Sequence, residues 1–277
     1  MVFLASNQQN IIMKTTLLCK QAIFLKRNGF KAILTLFLLG TLTGTSQTQI
    51  GQDINGEAAG DRSGQAVSMS DDGSIVAIGT LDNDGNGENS GHVRVFENQN
   101  GSWVQLGQDI DGEAAGDESG TALSLSGDGS ILAIGARVNN GSGSASGHAR
   151  IFENVNGSWV QIGQDINGEA AGDVSGDSVS LSEDGSIVAI GATANDGNGS
   201  ASGHVRVFQN VNGNWVQIGQ DIDGEAAIDL SGDSVSLSAD GSMVAIGADG
   251  NDGNGNASGH VRAVSYTHLT LPTTPYV

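Results

Sequence analysis

From Gln47 onward, apolar residues come in short alternating or continuous bursts separated by glycine-containing turns. Gln65 to Ser70 puts Val67 and Met69 on one side and Ala66, Ser68 and Ser70 on the other, the period-two pattern of a β-strand. Asp72-Gly73 follows, a two-residue hairpin signal in which both central positions call for positive φ. Ser74 to Gly79 (S-I-V-A-I-G) is a continuous apolar run of the length of a buried strand. Gly91 to Phe96 alternates again and leads to a second hairpin turn, Asn100-Gly101. Trp103 to Leu106 then runs on toward Asp109-Ile110 as a fourth strand. After Gln47, no ten-residue stretch combines a helical period with freedom from glycine and turn chemistry, which excludes a helical architecture.

The whole pattern recurs every 56 residues: the phrase G-Q-D-I-[ND]-G-E-A-A begins at Gly51, Gly107, Gly163 and Gly219. A fixed period of this length signifies stacked supersecondary units that bury their apolar faces against one another. Four antiparallel strands per unit predict an all-β fold, a β-propeller of four-stranded blades. A β-solenoid is the alternative, although its rungs are usually much shorter. Residues 47–263 hold the repeats, three complete and about half of a fourth. The segment 264–277 departs from the pattern and contains both prolines and both tyrosines of the chain. It reads as adaptor or vector sequence at the end of a truncated gene. Gln49 to Ile54 repeats the fourth-strand ending, so it is expected either to complete the fourth blade of a four-bladed ring or to belong to a larger, incomplete one.

Residues 1–46 have a different character. Lys14, Lys20, Lys26, Arg27 and Lys31 precede an apolar run, Ala32 to Leu42, which is followed by small residues up to Ser46. This is the layout of a secretory signal; the run is too short to span a bilayer. The alternative is a buried N-terminal helix. Without this segment the chain keeps six arginines, no lysine and all 31 acidic residues. Such a surface repels nucleic acid and anionic lipid and attracts cations. Cys19, the single cysteine, lies in the signal segment, so stability must come from sheet packing, bound ions or both.

The phrases S-G-x-[SA]-[VL]-S and [VL]-A-I-G-A, at Ser175 to Ser180 with Val188 to Ala192 and at Ser231 to Ser236 with Val244 to Ala248, resemble the two halves of the FG-GAP repeat. The resemblance spans all four copies. It implies a propeller like that of integrin α chains and secreted bacterial proteins, binding partners through loops. Two departures qualify it. Ser63, Ser119, Ser175 and Ser231 replace the family's phenylalanine. The calcium loop between the halves is reduced to bare turns at Asp72-Gly73, Asp128-Gly129, Asp184-Gly185 and Asp240-Gly241, too few oxygens for calcium.

Calcium character persists in another loop, Asp82-Asn83-Asp84-Gly85-Asn86-Gly87. Asp82 and Asp84 in the first copy, and Asp249 and Asp252 in the fourth, are the candidate calcium ligands; solvated polar loops are the competing reading. The second copy has Asn139-Asn140-Gly141-Ser142 there, which excludes a ring of identical calcium sites. The loop joining copies carries Asp53, Asn55, Glu57 and Asp61, recurring in every copy. Arg94, Arg150, Arg206 and Arg262 are expected to pair with one of these acids. His92, His148, His204 and His260 share the arginine face and suit packing or, alternatively, a metal ring. Trp103, Trp159 and Trp215 read as blade anchors or sugar platforms. Asn-Gly-Ser at Asn100 and Asn156 matches a glycosylation sequon but is explained by hairpin chemistry.

These features predict a secreted or cell-surface propeller that binds an extracellular protein or glycan, with adhesion as the expected role. A structural spacer is the alternative. An enzyme is not expected, because no asymmetric acid–base constellation interrupts the repeats.

Overall fold

The computed structural model describes residues 47–265, and every regular element among them is a β-strand. The proposed signal segment and residues 266–277 of the tail lie outside the described residues. The first copy forms β1 (Ala66–Met69), β2 (Ile75–Thr80), β3 (His92–Gln99), β4 (Ser102–Gln105) and β5 (Ile110–Asp111). The second forms β6 (Ala122–Leu125), β7 (Ile131–Ala136), β8 (His148–Val155), β9 (Ser158–Gln161) and β10 (Ile166–Asn167). The third forms β11 (Ser178–Leu181), β12 (Ile187–Ala192), β13 (His204–Val211), β14 (Asn214–Gln217) and β15 (Ile222–Asp223). The fourth forms β16 (Ser234–Leu237), β17 (Met243–Ala248) and β18 (His260–Ser265), the last running two residues into the segment assigned to the tail.

Each complete copy is an antiparallel blade four strands wide. β4 and β5 both lie on the outer edge of β3: β4 pairs with its C-terminal half and β5 with His92 and Val93. They are one fourth strand interrupted at residues 106–109. The innermost strands β1, β6, β11 and β16 adjoin in sequence order, as the strands around a propeller axis do. The architecture is a partial β-propeller.

The two hairpin turns differ. Asn100 and Gly101 both have positive φ (56° and 86°), as a two-residue primed turn requires. At Asp72-Gly73 only the glycine does (φ 71°), which corrects the expectation for that turn. The loop is longer: Gly73 N–H donates to Ser70 O, and Ser70 N–H to Ile75 O. The Asp72 carboxylate accepts from Ser74 N–H and Ser70 Oγ–H, so the side chain braces an ordinary right-handed turn.

The core lies between blades. One face of each blade is bulky and the other small. Ala77, Val93 and Val95 of the first blade pack against Leu132, Ile134, Phe152 and Trp159 of the second. Ala133, Ala149 and Ile151 of the second meet Val188, Ile190, Phe208 and Trp215 of the third. Ala189, Val205 and Val207 of the third meet Val244 and Ile246 of the fourth. Burying one such aliphatic side chain contributes about 1.5–3 kcal/mol. The glycine ending each [VL]-A-I-G run permits the approach: a Cβ on Gly135 or Gly191 would overlap the carbonyl oxygen of Gly176 or Gly232 in the next blade.

Both end faces are open among the described residues. Val67 and Met69 are 65% and 54% exposed, whereas Val179 and Leu181, at the same repeat positions, are 7% exposed under the preceding blade. Val261 is 73% exposed where Val205 is 0%. Gln49 to Ile54 does not form a strand against β18, so of the two alternatives four-bladed closure is not seen among the described residues. It packs on the first blade instead: Trp103 Nε1–H donates to Ile50 O (3.1 Å) and Gln52 Nε2–H to Trp103 O (3.2 Å). Leu106 and Gln108 make the same two bonds with Trp159. The segment acts as the end of a preceding blade.

Gly191→Ala is expected to lower unfolding free energy by about 3 kcal/mol through overpacking. Gly247→Ala, at the same repeat position but facing only Ser234 of its own blade, should cost less than about 1 kcal/mol. Paired urea melts measure the difference.

Candidate functional site

The β2–β3 loops and the inter-blade loops emerge at the same end of each blade. In the first blade the Asp82 carboxylate receives both Arg62 Nε–H and Arg62 Nη2–H, the latter at 2.6 Å. That guanidinium holds the Asp82 carboxyl below its ordinary value. Asp84 Oδ1 accepts from Asn89 N–H (2.8 Å), and Asp252 Oδ1 from Ala257 N–H (2.6 Å). Asn140 Oδ1 makes the same bond to Ala145 N–H (2.9 Å) without a charge. The position is thus a loop cap that Asp and Asn fill equally, which favours the polar-loop reading over a calcium cage. Asp249 acts on Asp233: burial, then Asp249 and Asp177, raise the Asp233 carboxyl above its usual range.

The inter-blade acids divide into two roles. Asp61, Asp117, Asp173 and Asp229 are buried and brace the loop, accepting from the backbone N–H of Ala58, Ala114, Ala170 and Ala226. Glu57, Glu113 and Glu169 approach the third strand of the following blade. There Arg94, Arg150 and Arg206 place Nη1 at 3.7, 3.9 and 3.8 Å from the glutamate Oε1. Each of these arginines also donates Nη2–H to a backbone carbonyl of the preceding segment, at Asn55, Asp111 or Asn167, and lies over the phenylalanine two residues on. The expected arginine–acid pairing is therefore present at Arg94, Arg150 and Arg206, with the carbonyl as the shorter partner; Arg262 bonds only to Asp223 O and Ser231 Oγ among the described residues.

Beside each pair stands a group that sequence reasoning had only half assembled. His92 opens β3, and its Nδ1 is 3.9 Å from Glu57 Oε2 and 4.0 Å from Asp109 Oδ2. Asp109 comes from the break between β4 and β5. His204 repeats this with Glu169 and Asp221, both at 3.9 Å, and His148 with Glu113 at 3.8 Å and Asp165. Each set offers one imidazole nitrogen and two carboxylate oxygens within 4.8 Å of one another, a donor set able to hold a metal ion. The histidines and the recurring acids are both legible in the sequence, but their meeting at one point is not. Its one trace there is the constant 17-residue spacing from histidine to aspartate. Burial, reinforced by Arg150, pushes the His148 imidazole down to about 4, so it is neutral at pH 7; His204 moves the same way.

A third feature is a rim of variable residues. The position after each bracing aspartate carries Arg62, Glu118, Val174 or Leu230, all with φ between 52° and 55°. Its neighbours across the loop are equally unlike. Arg137 spans Glu118 (3.1 Å) and Asp177 (3.5 Å), and Thr193 Oγ1–H donates to Asp177 (3.0 Å). The tryptophans prove to be anchors: Trp159 and Trp215 are buried and donate Nε1–H to Leu106 O and Ile162 O of the preceding blade, both at 2.9 Å.

No protein-family model and no curated protein matches the sequence. Solved structures similar to it include hydrazine synthase of Kuenenia stuttgartiensis, at 14% identity and TM-score 0.47, over 79% of this chain and 48% of that one. A TolB candidate from Agrobacterium tumefaciens matches at 13% identity and TM-score 0.42, over 72% and 57%. A 6-phosphogluconolactonase candidate from Bacteroides fragilis matches at 15% and 0.41, over 57% and 38%. The chain thus spans between about two fifths and three fifths of these proteins. Likeness at this level carries no functional argument. No helix among the described residues is long and apolar enough to cross a membrane.

Two outcomes are expected. Asp84→Asn should leave the melting temperature within about 1 °C, since Asn140 performs the same bond. The unfolded His148 imidazole binds a proton near 6.5 and the folded one near 4. Its contribution, on the order of 3 kcal/mol, is complete above pH 6.5 and lost as pH falls toward 4. His148→Gln should remove that part of the pH slope in denaturant titrations.

Proposed function

We propose that the chain is an exported FG-GAP-type propeller module that binds an extracellular protein or glycan, in adhesion, through the loop end of its blades. The observation that carries the reading is the separation of constant from variable residues. Strands, turn aspartates, arginines and tryptophans recur copy after copy, whereas Arg62, Glu118, Val174 and Leu230 and the facing Leu81, Arg137, Thr193 and Asp249 differ in every copy. Most of this variation gathers at one end, on loops held by a rigid scaffold, where recognition residues concentrate. The basic signal-like N-terminus supports export, and the acidic surface favours a cationic or neutral partner. A catalytic role is not part of the proposal, since the histidine, glutamate and aspartate groups at the blade junctions recur in register. Calcium at Asp82 and Asp84 would have to displace Arg62, so the proposal does not depend on it.

The test is a glycan array and a panel of matrix proteins probed with the purified chain. Saturable binding that falls at least tenfold in Arg62→Ala/Arg137→Ala supports the reading. No saturable ligand, or a ligand indifferent to both substitutions, would favour the spacer.

A further inference from the structure

We propose that the three His–Glu–Asp clusters at the blade junctions each bind one divalent transition-metal ion of the zinc class. The proposal goes beyond the binding reading and does not rest on it.

The carboxylates are oriented for such an ion. In each cluster a glutamine from the fourth strand donates to the outer oxygen of the aspartate: Gln105 to Asp109 Oδ1 (2.6 Å), and Gln161 and Gln217 to their counterparts at 2.7 and 2.6 Å. The arginine lies against Oε1 of the glutamate. The aspartate therefore has one oxygen held by a hydrogen bond, the glutamate has one in the field of the arginine, and each presents its other oxygen toward the imidazole. Outer partners that fix ligands in this way are typical of metal sites.

At the second junction the histidine supplies an independent indication, whereas at the first it is Nε2 of His92 that lacks a partner. His148 is 1% exposed, and its Nδ1 is buried with no hydrogen-bond partner. Its distance to Glu113 Oε2, 3.8 Å, is too long for a hydrogen bond. A buried imidazole nitrogen facing carboxylate oxygens across such a gap lacks a bridging group. Zinc bonds of about 2.0–2.2 Å set tetrahedral ligands about 3.4 Å apart, so the histidine–glutamate edges need to shorten by about half an ångström and the remaining edges, all within 4.8 Å, by as much or more. The partly exposed carboxylates have room to make that movement. One imidazole and two carboxylates suit zinc, cobalt or manganese; calcium takes six to eight oxygens.

In the fourth copy the described residues hold two members of the cluster, His260 Nδ1 and Glu225 Oε2 at 3.9 Å. The three complete clusters among the described residues set the expected count at three ions.

The experiment strips the full-length chain with chelator, adds zinc or cobalt chloride, and counts bound metal by calorimetry and elemental analysis. Three ions per chain are expected, with cobalt giving visible absorption from an imidazole–carboxylate site. Asp165→Asn, which retains an acceptor for Gln161, should reduce the count to two. The triple variant Asp109→Asn/Asp165→Asn/Asp221→Asn should reduce it to zero with unchanged β-sheet circular dichroism. No saturable uptake by the wild type would overturn the proposal, as would a count unaltered by Asp165→Asn. The single variant decides the matter even if the triple one does not fold.

Discussion

Each blade exposes one bulky and one small apolar face, and neither is stable in water unless a second blade covers it. The remaining features follow from that pairing. Small residues on one side, Ala133 and Ala149, leave the depth that Val188, Ile190 and Phe208 fill. Glycines at the ends of β7 and β12 bring one blade's backbone against the next. Such packing runs in one direction and has no internal stop, so the described repeats end with uncovered faces at Val67 and Val261.

The same pairing explains why so many polar groups are buried in a chain with few charges to balance its acids. A blade junction brings together an outgoing loop, the break in a fourth strand and the start of the next third strand. Backbone carbonyls and amides left without ladder partners meet there. Arg94, Arg150 and Arg206 satisfy backbone carbonyls at Asn55, Asp111 and Asn167, the bracing aspartates satisfy loop amides, and the tryptophans satisfy the fourth-strand ends. Repetition of these bonds at every junction marks them as structural, since a buried polar group without a partner costs about 1–3 kcal/mol. The variable rim has no such duty, and its side chains are free to differ.

The candidate calcium residues and the His–Glu–Asp clusters show how differently two acidic patterns can turn out. Asp82 and Asp84 are neighbours in the chain and look like an ion loop. In the fold one is taken by Arg62 and the other by a backbone amide. Glu57, His92 and Asp109 are far apart in the chain and meet at one point. Proximity in sequence proved a poor guide to shared ligands, because a loop of this length satisfies its own amides first.

The amino-acid sequence by itself determined the period, the four strands of each blade and the Asn-Gly hairpin. All of these are local or repeated at fixed spacing, and periodicity and turn chemistry report them directly. Only the tertiary structure decided the rest. Asp72-Gly73 became a longer turn because Ser70 and Ser74 donate to the Asp72 side chain. Gln49 to Ile54 docked on the first blade rather than the fourth because Trp103 offers it the contacts that Trp159 offers Leu106 and Gln108. Asp109 joined His92 because the fourth strand breaks beside the next junction, and the register of two blades is set by apolar faces that no single repeat reveals.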